Sequence, residues 1–202
     1  MGLLRSILGP SKDEIWDQIA KDIGGQYEDG GFLGRDVLRY QSGQWEITLD
    51  TYTTDGENST TYTRMRAPFV NKDSLYFKIY REGFFASIGK LFGMQDIQIG
   101  DPYFDDNFII KGNNEGKIRR LLNAPRLKQL IQTQPGICFQ VRDDEGWFGA
   151  DFPEGVDELY FQCTGVIKGE ERLKNLFNLF SNTLERLVQI DSAYESDPKV
   201  TL

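Results

Sequence analysis

The stretch "DVLRYQSGQWEITLDTYTTDGENSTTYTRMRAPF", residues 36–69, carries the decisive pattern of the chain. Two turn signals, Ser42-Gly43 and Asp55-Gly56, cut it into extended runs at 36–41, 44–54 and 59–69. In the second run Trp45, Ile47 and Leu49 alternate with Glu46, Thr48 and Asp50. Successive strand side chains point to opposite faces, so this spacing predicts one apolar face and one wet face. A fourth run at 74–82 follows Asn71-Lys72-Asp73, with Leu75, Phe77 and Ile79 set against Tyr76, Lys78 and Tyr80. The four runs read as an antiparallel meander.

Helices bracket this sheet. Near the N-terminus, Ser11 and Glu14 form a capping box and Gly24-Gly25 a stop around an apolar stripe of Ile15, Trp16, Ile19, Ala20 and Ile23. Near the C-terminus, Leu173, Leu176, Phe177, Phe180, Leu184, Leu187 and Val188 recur at helical spacing. That pattern predicts about 24 residues of helix, roughly 36 Å long at 1.5 Å per residue, laid across a sheet. In between, the spacing predicts a short helix at 84–93, strands at 96–100 and 108–111, and helices at 114–123 and 125–133. Two further strands are expected at 136–144 and 158–165. The expected fold is α+β: an antiparallel sheet of six to eight strands packed by an N-terminal helix and a long C-terminal helix. Residues 1–10 read as an arm, 11–193 as a single domain and 194–202 as a disordered tail.

Composition narrows the chemistry. A chain of 202 residues can bury one sizeable core. Its net charge of −8 argues against nucleic acid as a partner. It contains no histidine, which removes the commonest general base, metal ligand and pH switch. Ser-His-Asp, Cys-His and HExxH schemes are thereby excluded. Neither GxGxxG nor a Walker A loop occurs, so no cofactor is expected, and the balance leans away from an enzyme. Cys138 and Cys163 are too few for a disulfide framework. They read as buried thiols of a cytoplasmic protein, with a cross-strand pair as the alternative. No apolar run approaches the ~20 residues of a membrane span, and no signal peptide is visible. "MGLLRS" fits the loose myristoylation pattern.

Four clusters are candidate sites. Asp101, Asp105 and Asp106 with Asn107 offer hard oxygens to a divalent cation. Their spacing is not that of an EF-hand, and the bland alternative is a turn, a strand and a helix start. The acidic loop at 143–157 sets Trp147, Phe148 and Phe152 among Asp143, Asp144 and Glu145, a composition suited to a partner-binding surface. Lys111, Lys117, Arg119, Arg120, Arg126 and Lys128 make a basic island for an anionic partner or lipid surface, or the wet face of a helix pair. Tyr52, Tyr62, Tyr76 and Tyr80 with Trp45 are candidates to line a cavity under the long helix, or are core residues and cross-strand pairs.

The segment "FDDNFIIKGNNEGKIRRLLNAPRLKQLIQ" combines a Phe-x-x-x-Phe strand with leucine-bearing helices. Over residues 100–133 it resembles a segment of bacterial domains of unknown function, some of which lie cytoplasmic to membrane helices. The resemblance implies packing roles for Phe104, Phe108, Leu121, Leu122, Leu127 and Leu130, and no catalytic residue.

The leading expectation is a non-enzymatic cytoplasmic binding or accessory module that contacts protein through the 143–157 loop. A small apolar ligand or lipid carrier, with a cavity between sheet and C-terminal helix, is one alternative. A divalent-cation-dependent hydrolase built on Asp101, Asp105, Asp106 and residues 143–145 is the other. Expected partners are an unknown protein or a second copy joined by sheet edges. Peripheral membrane contact is the lesser expectation.

Overall fold

The computed structural model describes residues 9–31, 34–56, 59–81, 94–143 and 152–202. The first helix, α1 (Lys12–Ile23), begins where the sequence predicts. Ser11 Oγ accepts from the Glu14 N–H at 3.2 Å, and the Glu14 carboxylate accepts from the Ser11 N–H at 3.0 Å. Gly24 ends it in the left-handed region at φ 75°, where a Cβ would be strained.

Nine strands follow: β1 (Gln26–Glu28), β2 (Val37–Ser42), β3 (Trp45–Thr53), β4 (Thr61–Val70), β5 (Phe77–Arg81), β6 (Gln95–Asp96), β7 (Phe108–Gly112), β8 (Cys138–Arg142) and β9 (Val156–Thr164). They form one antiparallel sheet in the order β1-β2-β3-β4-β9-β8-β5-β7-β6. The count exceeds the expected six to eight because the three-residue β1 finishes one edge; a strand this short carries too little alternation to be read from sequence. At the other edge, the strand expected at 96–100 is the two-residue β6 at Gln95–Asp96.

A four-stranded meander is present, but it is β1 to β4. The run expected as its fourth strand, β5, lies three places further on, beside β7 and β8. The neighbour of β4 is β9, which matches it over eight residue pairs from Thr63↔Cys163 to Val70↔Val156. Strand length and burial favour this order. β9 has nine residues, nearly all buried on both faces, and so belongs in the centre, whereas β5 has five. The chain leaves β4 through a turn in which Asn71 imitates a strand partner. Its Oδ1 accepts from the Leu75 N–H at 3.2 Å and its Nδ2 donates to the Leu75 carbonyl at 3.3 Å.

Four more helices lie among the described residues: α2 (Pro102–Asn107), α3 (Glu115–Leu122), α4 (Pro125–Gln132) and α5 (Glu170–Gln189). Where a turn was expected, α2 forms, because Asp101 Oδ1 caps the Phe104 N–H at 3.2 Å and Pro102 occupies the first turn. α5 is 20 residues rather than about 24, since Ile190 caps it and Asp191 turns left-handed at φ 62°. The helix expected at 84–93 and most of the N-terminal arm lie outside the described residues. Among the described residues, no helix is long and apolar enough to cross a membrane.

α1, α3, α4 and α5 share one face of the sheet. The Trp16 indole, fully buried, donates to the Ile167 carbonyl at 3.1 Å. Tyr40 meets Phe177 edge-on at 5.8 Å, and Phe139 sits 5.6 Å from both Phe77 and Phe180. Gly112 is required where α3 crosses β7, because a Cβ there would lie 2.0 Å from Ile118 Cδ1 and 3.0 Å from the Tyr76 carbonyl oxygen. After α5 the chain rounds the end of β4. Ala193 bridges to Asn71, the Lys72 N–H donates to the Ser192 carbonyl at 2.9 Å, and the Tyr194 N–H donates to the Val70 carbonyl at 3.1 Å. Residues 195–202 then run along the face opposite the helices, here termed the far face.

Cys138 stands opposite Gln162, and Cys163 is the next residue along β9. Neighbouring strand residues point to opposite faces, so the two thiols lie on different sides of the sheet and no cross-strand disulfide can close. Thiol titration of the denatured, unreduced protein should therefore find both cysteines free; one missing pair would contradict the register. Phe139→Ala should cost about 3–5 kcal/mol in urea unfolding. A loss below about 1 kcal/mol would place that ring outside the sealed layer.

Candidate binding face

The far face is polar by strand geometry. Residues whose neighbours Leu38, Ile47, Met65, Phe161, Phe139 and Ile79 meet the helices must point the other way. One transverse row therefore crosses the strands as Arg39, Thr48, Arg66, Tyr160, Gln140, Lys78 and Lys111, each in register with the next. No aliphatic side chain interrupts it. The adjoining row contains Asp50, Arg64, Gln162, Cys138 and Tyr80.

Charges on this face are organised in pairs. Asp50 is 2% exposed and receives Arg64 as a fork, with Nε–Oδ1 at 2.8 Å and Nη2–Oδ2 at 2.6 Å. Arg66 Nη2 adds a third bond to Oδ2 at 3.1 Å. Such planar, charge-assisted pairing fixes both guanidinium groups. Arg142 pairs with the fully buried Glu158 while its guanidinium lies 3.6 Å from the Tyr160 ring centroid. Gln162 Oε1 accepts from two phenols, Tyr52 at 2.9 Å and Tyr160 at 2.7 Å. Tyr52 also stacks on Tyr62, 5.2 Å apart and 17° from parallel. Burial pushes the Tyr52 and Tyr160 hydroxyls above their ordinary range, which keeps both phenols protonated as donors.

The result is a stiff platform with a closed centre and an accessible margin. Thr48, Asp50, Lys78, Glu158 and Tyr160 are buried; Arg39, Tyr52, Tyr62, Arg64, Gln140 and Gln162 are half-buried. Both central carboxylates are tied to guanidinium groups. The arrangement suits recognition by shape and hydrogen bonding rather than proton transfer.

The clusters singled out from sequence fall elsewhere. Asp101 caps α2 and pairs with Lys128. Asp105 accepts from the Ile99 and Gly100 N–H groups, both at 2.9 Å. Asp106 is exposed, and Asn107 Nδ2 donates back to the Tyr103 carbonyl at 2.7 Å. Among the described residues, no group of three or more Cys, Asp or Glu side chains is placed to hold a metal ion. Of the acidic loop, Asp143 is exposed and Phe152 half-buried; Asp144, Glu145, Trp147 and Phe148 lie outside the described residues. The basic island is divided among local partners: Lys111 with Asp96, Lys117 with Asp73, Arg119 with Glu115 and Lys128 with Asp101.

Tyr52, Tyr62 and Tyr80 do not face the long helix as a cavity lining would. They share the strand parity of Thr48 and Arg66, opposite to Trp45, and so belong to the far face. Asp50, Arg64, Arg66, Glu158 and Gln162 were not singled out from sequence, although a signal was present. In "TRMRAP" the arginines flank Met65 at a spacing of two, and in "ELYFQC" Glu158, Tyr160 and Gln162 repeat that spacing.

No protein-family model and no curated protein matches the chain. Among solved structures, the crystal structure of the mycobacterial trehalose monomycolate transport factor A, TtfA, is similar over 87% of this chain and 95% of its own. The sequences are 12% identical and the TM-score is 0.46.

Two carboxyl groups should titrate in opposite directions. Burial holds Asp157 above its ordinary value of 3.8, with bonds from Asn71 Nδ2 at 2.5 Å and the Tyr76 hydroxyl at 3.3 Å pulling partly back. The folded chain thus binds this proton more tightly than the unfolded chain, and Asp157's contribution to stability declines as pH rises from 3.8 through the folded value. Asp36 is held below 3.8 first by its bond from Lys12, against some burial. Its contribution is present above 3.8 and lost as pH falls through the folded value. Carboxyl ¹³C titration should place the Asp157 midpoint above 3.8 and that of Asp36 below. Coincident midpoints would contradict both environments.

Proposed function

We propose that this chain is a non-enzymatic protein-binding module, and that the half-buried margin of the far face is its docking surface. The observation that carries this reading is the unbroken transverse row of polar and tyrosine side chains opposite the helices. Stability does not call for it. Buried ion pairs such as Asp50 with Arg64 and Arg66 add little over well-packed apolar residues. Tyrosine and arginine on a stiff support are the residue types that concentrate binding energy at interfaces. The two free thiols support a reducing, cytoplasmic setting as part of the same proposal.

A double variant, Tyr62→Ala with Gln140→Ala, tests the surface. Both side chains are half-buried on the far face and can be shortened without opening the core. Affinity for a protein captured from the source cells should fall about tenfold or more, the scale of a hot-spot loss, while stability falls only by the lost Tyr52–Tyr62 stack, about 0.5–1.5 kcal/mol. Equal capture by variant and native chain would reject this face as the docking surface.

A second reading, a carrier of a small apolar ligand, is supported by an open cleft of about 370 Å³ between β2, α1 and α5. Ile23, Tyr40 and Phe177 form its apolar walls, and the Asp22–Lys174 ion pair at 2.7 Å stands at its margin. Its volume falls in the range of small-ligand sites. Native mass spectrometry of the purified chain should show a retained ligand that Ile23→Asp, at the half-buried wall of the cleft, releases; a single ligand-free mass would reject the carrier reading.

A further inference from the structure

Residues 195–202 cover part of the far face, and their attachment is uneven. At the root the segment is held firmly. Ser192 is fully buried, and Lys117 Nζ donates to the Asp191 carbonyl at 2.8 Å and to Ser192 Oγ at 3.0 Å. Beyond Tyr194 the ties thin out. Among the described residues, one hydrogen bond joins 195–202 to the body, from Arg39 Nη2 to the Leu202 carbonyl at 2.9 Å. Pro198 is the one buried side chain of these eight residues.

The seat of this segment has a cause in β4. The β3–β4 register runs from Thr53↔Thr61 only to Thr48↔Arg66. Two residues later comes Pro68, which has no N–H to continue a ladder. Where the strands part, Gln41, Glu46 and Pro68 border a groove of about 240 Å³ whose other wall is formed by Asp197, Pro198 and Val200. One wall of the groove is thus a segment with a proline and an aliphatic residue two positions apart, turned at Lys199, whose φ is 56° and whose N–H donates to Asp197 Oδ1 at 2.7 Å.

We propose that residues 195–202 are a displaceable strap over a peptide-docking groove at the β2–β4 end of the far face, and that a proline-containing segment of a partner takes the strap's place. The proposal rests on the protein-binding reading and adds to it the class of partner segment and a built-in competitor. A tethered competitor acts at an effective concentration in the millimolar range. One hydrogen bond and one buried proline give it little intrinsic affinity, so a better-matched segment displaces it.

The test uses a fluorescently labelled synthetic peptide of residues 195–202, followed by anisotropy. It is titrated into the intact chain, a chain shortened after Tyr194, and a full-length Pro198→Asp chain whose strap is unseated without deletion. Saturable binding to the shortened and Pro198→Asp chains, at least about tenfold weaker to the intact chain, is the expected result. Arg39→Ala in the shortened chain should weaken it further. Absence of saturable binding to both altered chains, or equal binding to all three, overturns the strap. No partner protein enters this assay, so its outcome is separate from partner capture. Capture that still depends on Tyr62 and Gln140 alongside a failed peptide titration would remove the strap and leave the binding face standing.

Discussion

The Phe139 ring, held 5.6 Å from Phe77 on one side and from Phe180 of α5 on the other, marks the layer on which the structure depends. A nine-stranded sheet exposes more apolar surface than one helix can cover. α5 closes the centre, α1 closes the β2 side and is tied by Trp16 to the Ile167 carbonyl just after β9, and α3 and α4 close the β5–β7 side. The interlocking is tight enough that Gly112 admits no side chain beneath Ile118. Each fully buried Leu or Phe in that layer contributes on the order of 1.5–3 kcal/mol. With the apolar half of every strand committed to this layer, recognition falls to the other half.

On that other half, the constraint is electrostatic. Asp50 and Glu158 are nearly closed to solvent, and ionised carboxylates in such places require paired, hydrogen-bonded partners. Arginine supplies them: the Arg64 fork reaches both oxygens of Asp50 at once, and Arg142 bonds to Glu158 Oε1. These pairs also fix the tyrosines: Arg142 lies against Tyr160, and Arg64 lies 5.2 Å from the Tyr52 ring centroid. The platform is therefore rigid before any partner arrives, which lowers the entropy cost of binding.

Much of the fold is legible in the sequence where the signal is local. The capping box at Ser11 and Glu14, the Ser42-Gly43 turn, and the stripe from Leu173 to Leu187 each specify their element through neighbours in the chain. What is not legible is which strands become neighbours. β9 takes the place beside β4 because its length and two-sided burial fit there, and no turn residue announces that choice. α2 was hidden because one capping aspartate and one proline look the same in a turn as in a short helix. The far face was hidden for a different reason: alternation says that a residue leaves the apolar side, but not that its cross-strand neighbour does so at the same level. Thr48, Arg66, Tyr160 and Gln140 form a row only once four registers are known. For the tyrosines the same information was needed: cross-strand pairing, one of the two sequence readings, is what Tyr52 and Tyr62 do, and only strand parity shows that the pair lies outside the helix side.

The central β4–β9 pairing also sets a timetable. The Thr63 hydroxyl bonds to the Gly165 carbonyl 102 residues away, and Trp16 bonds to Ile167 across 151 residues. Contacts so distant in sequence close late and slowly. A ribosome adding roughly 5–20 residues per second needs about 8–30 s to go from Trp16 to Ile167. Between the completion of β4 at Val70 and the arrival of β9 at Val156, the β1–β4 meander has an unmatched edge along β4, with Met65, Ala67 and Phe69 uncovered. The nascent chain is thus most vulnerable to misassociation midway through synthesis, and the arrival of β9 and α5 ends that exposure in one step.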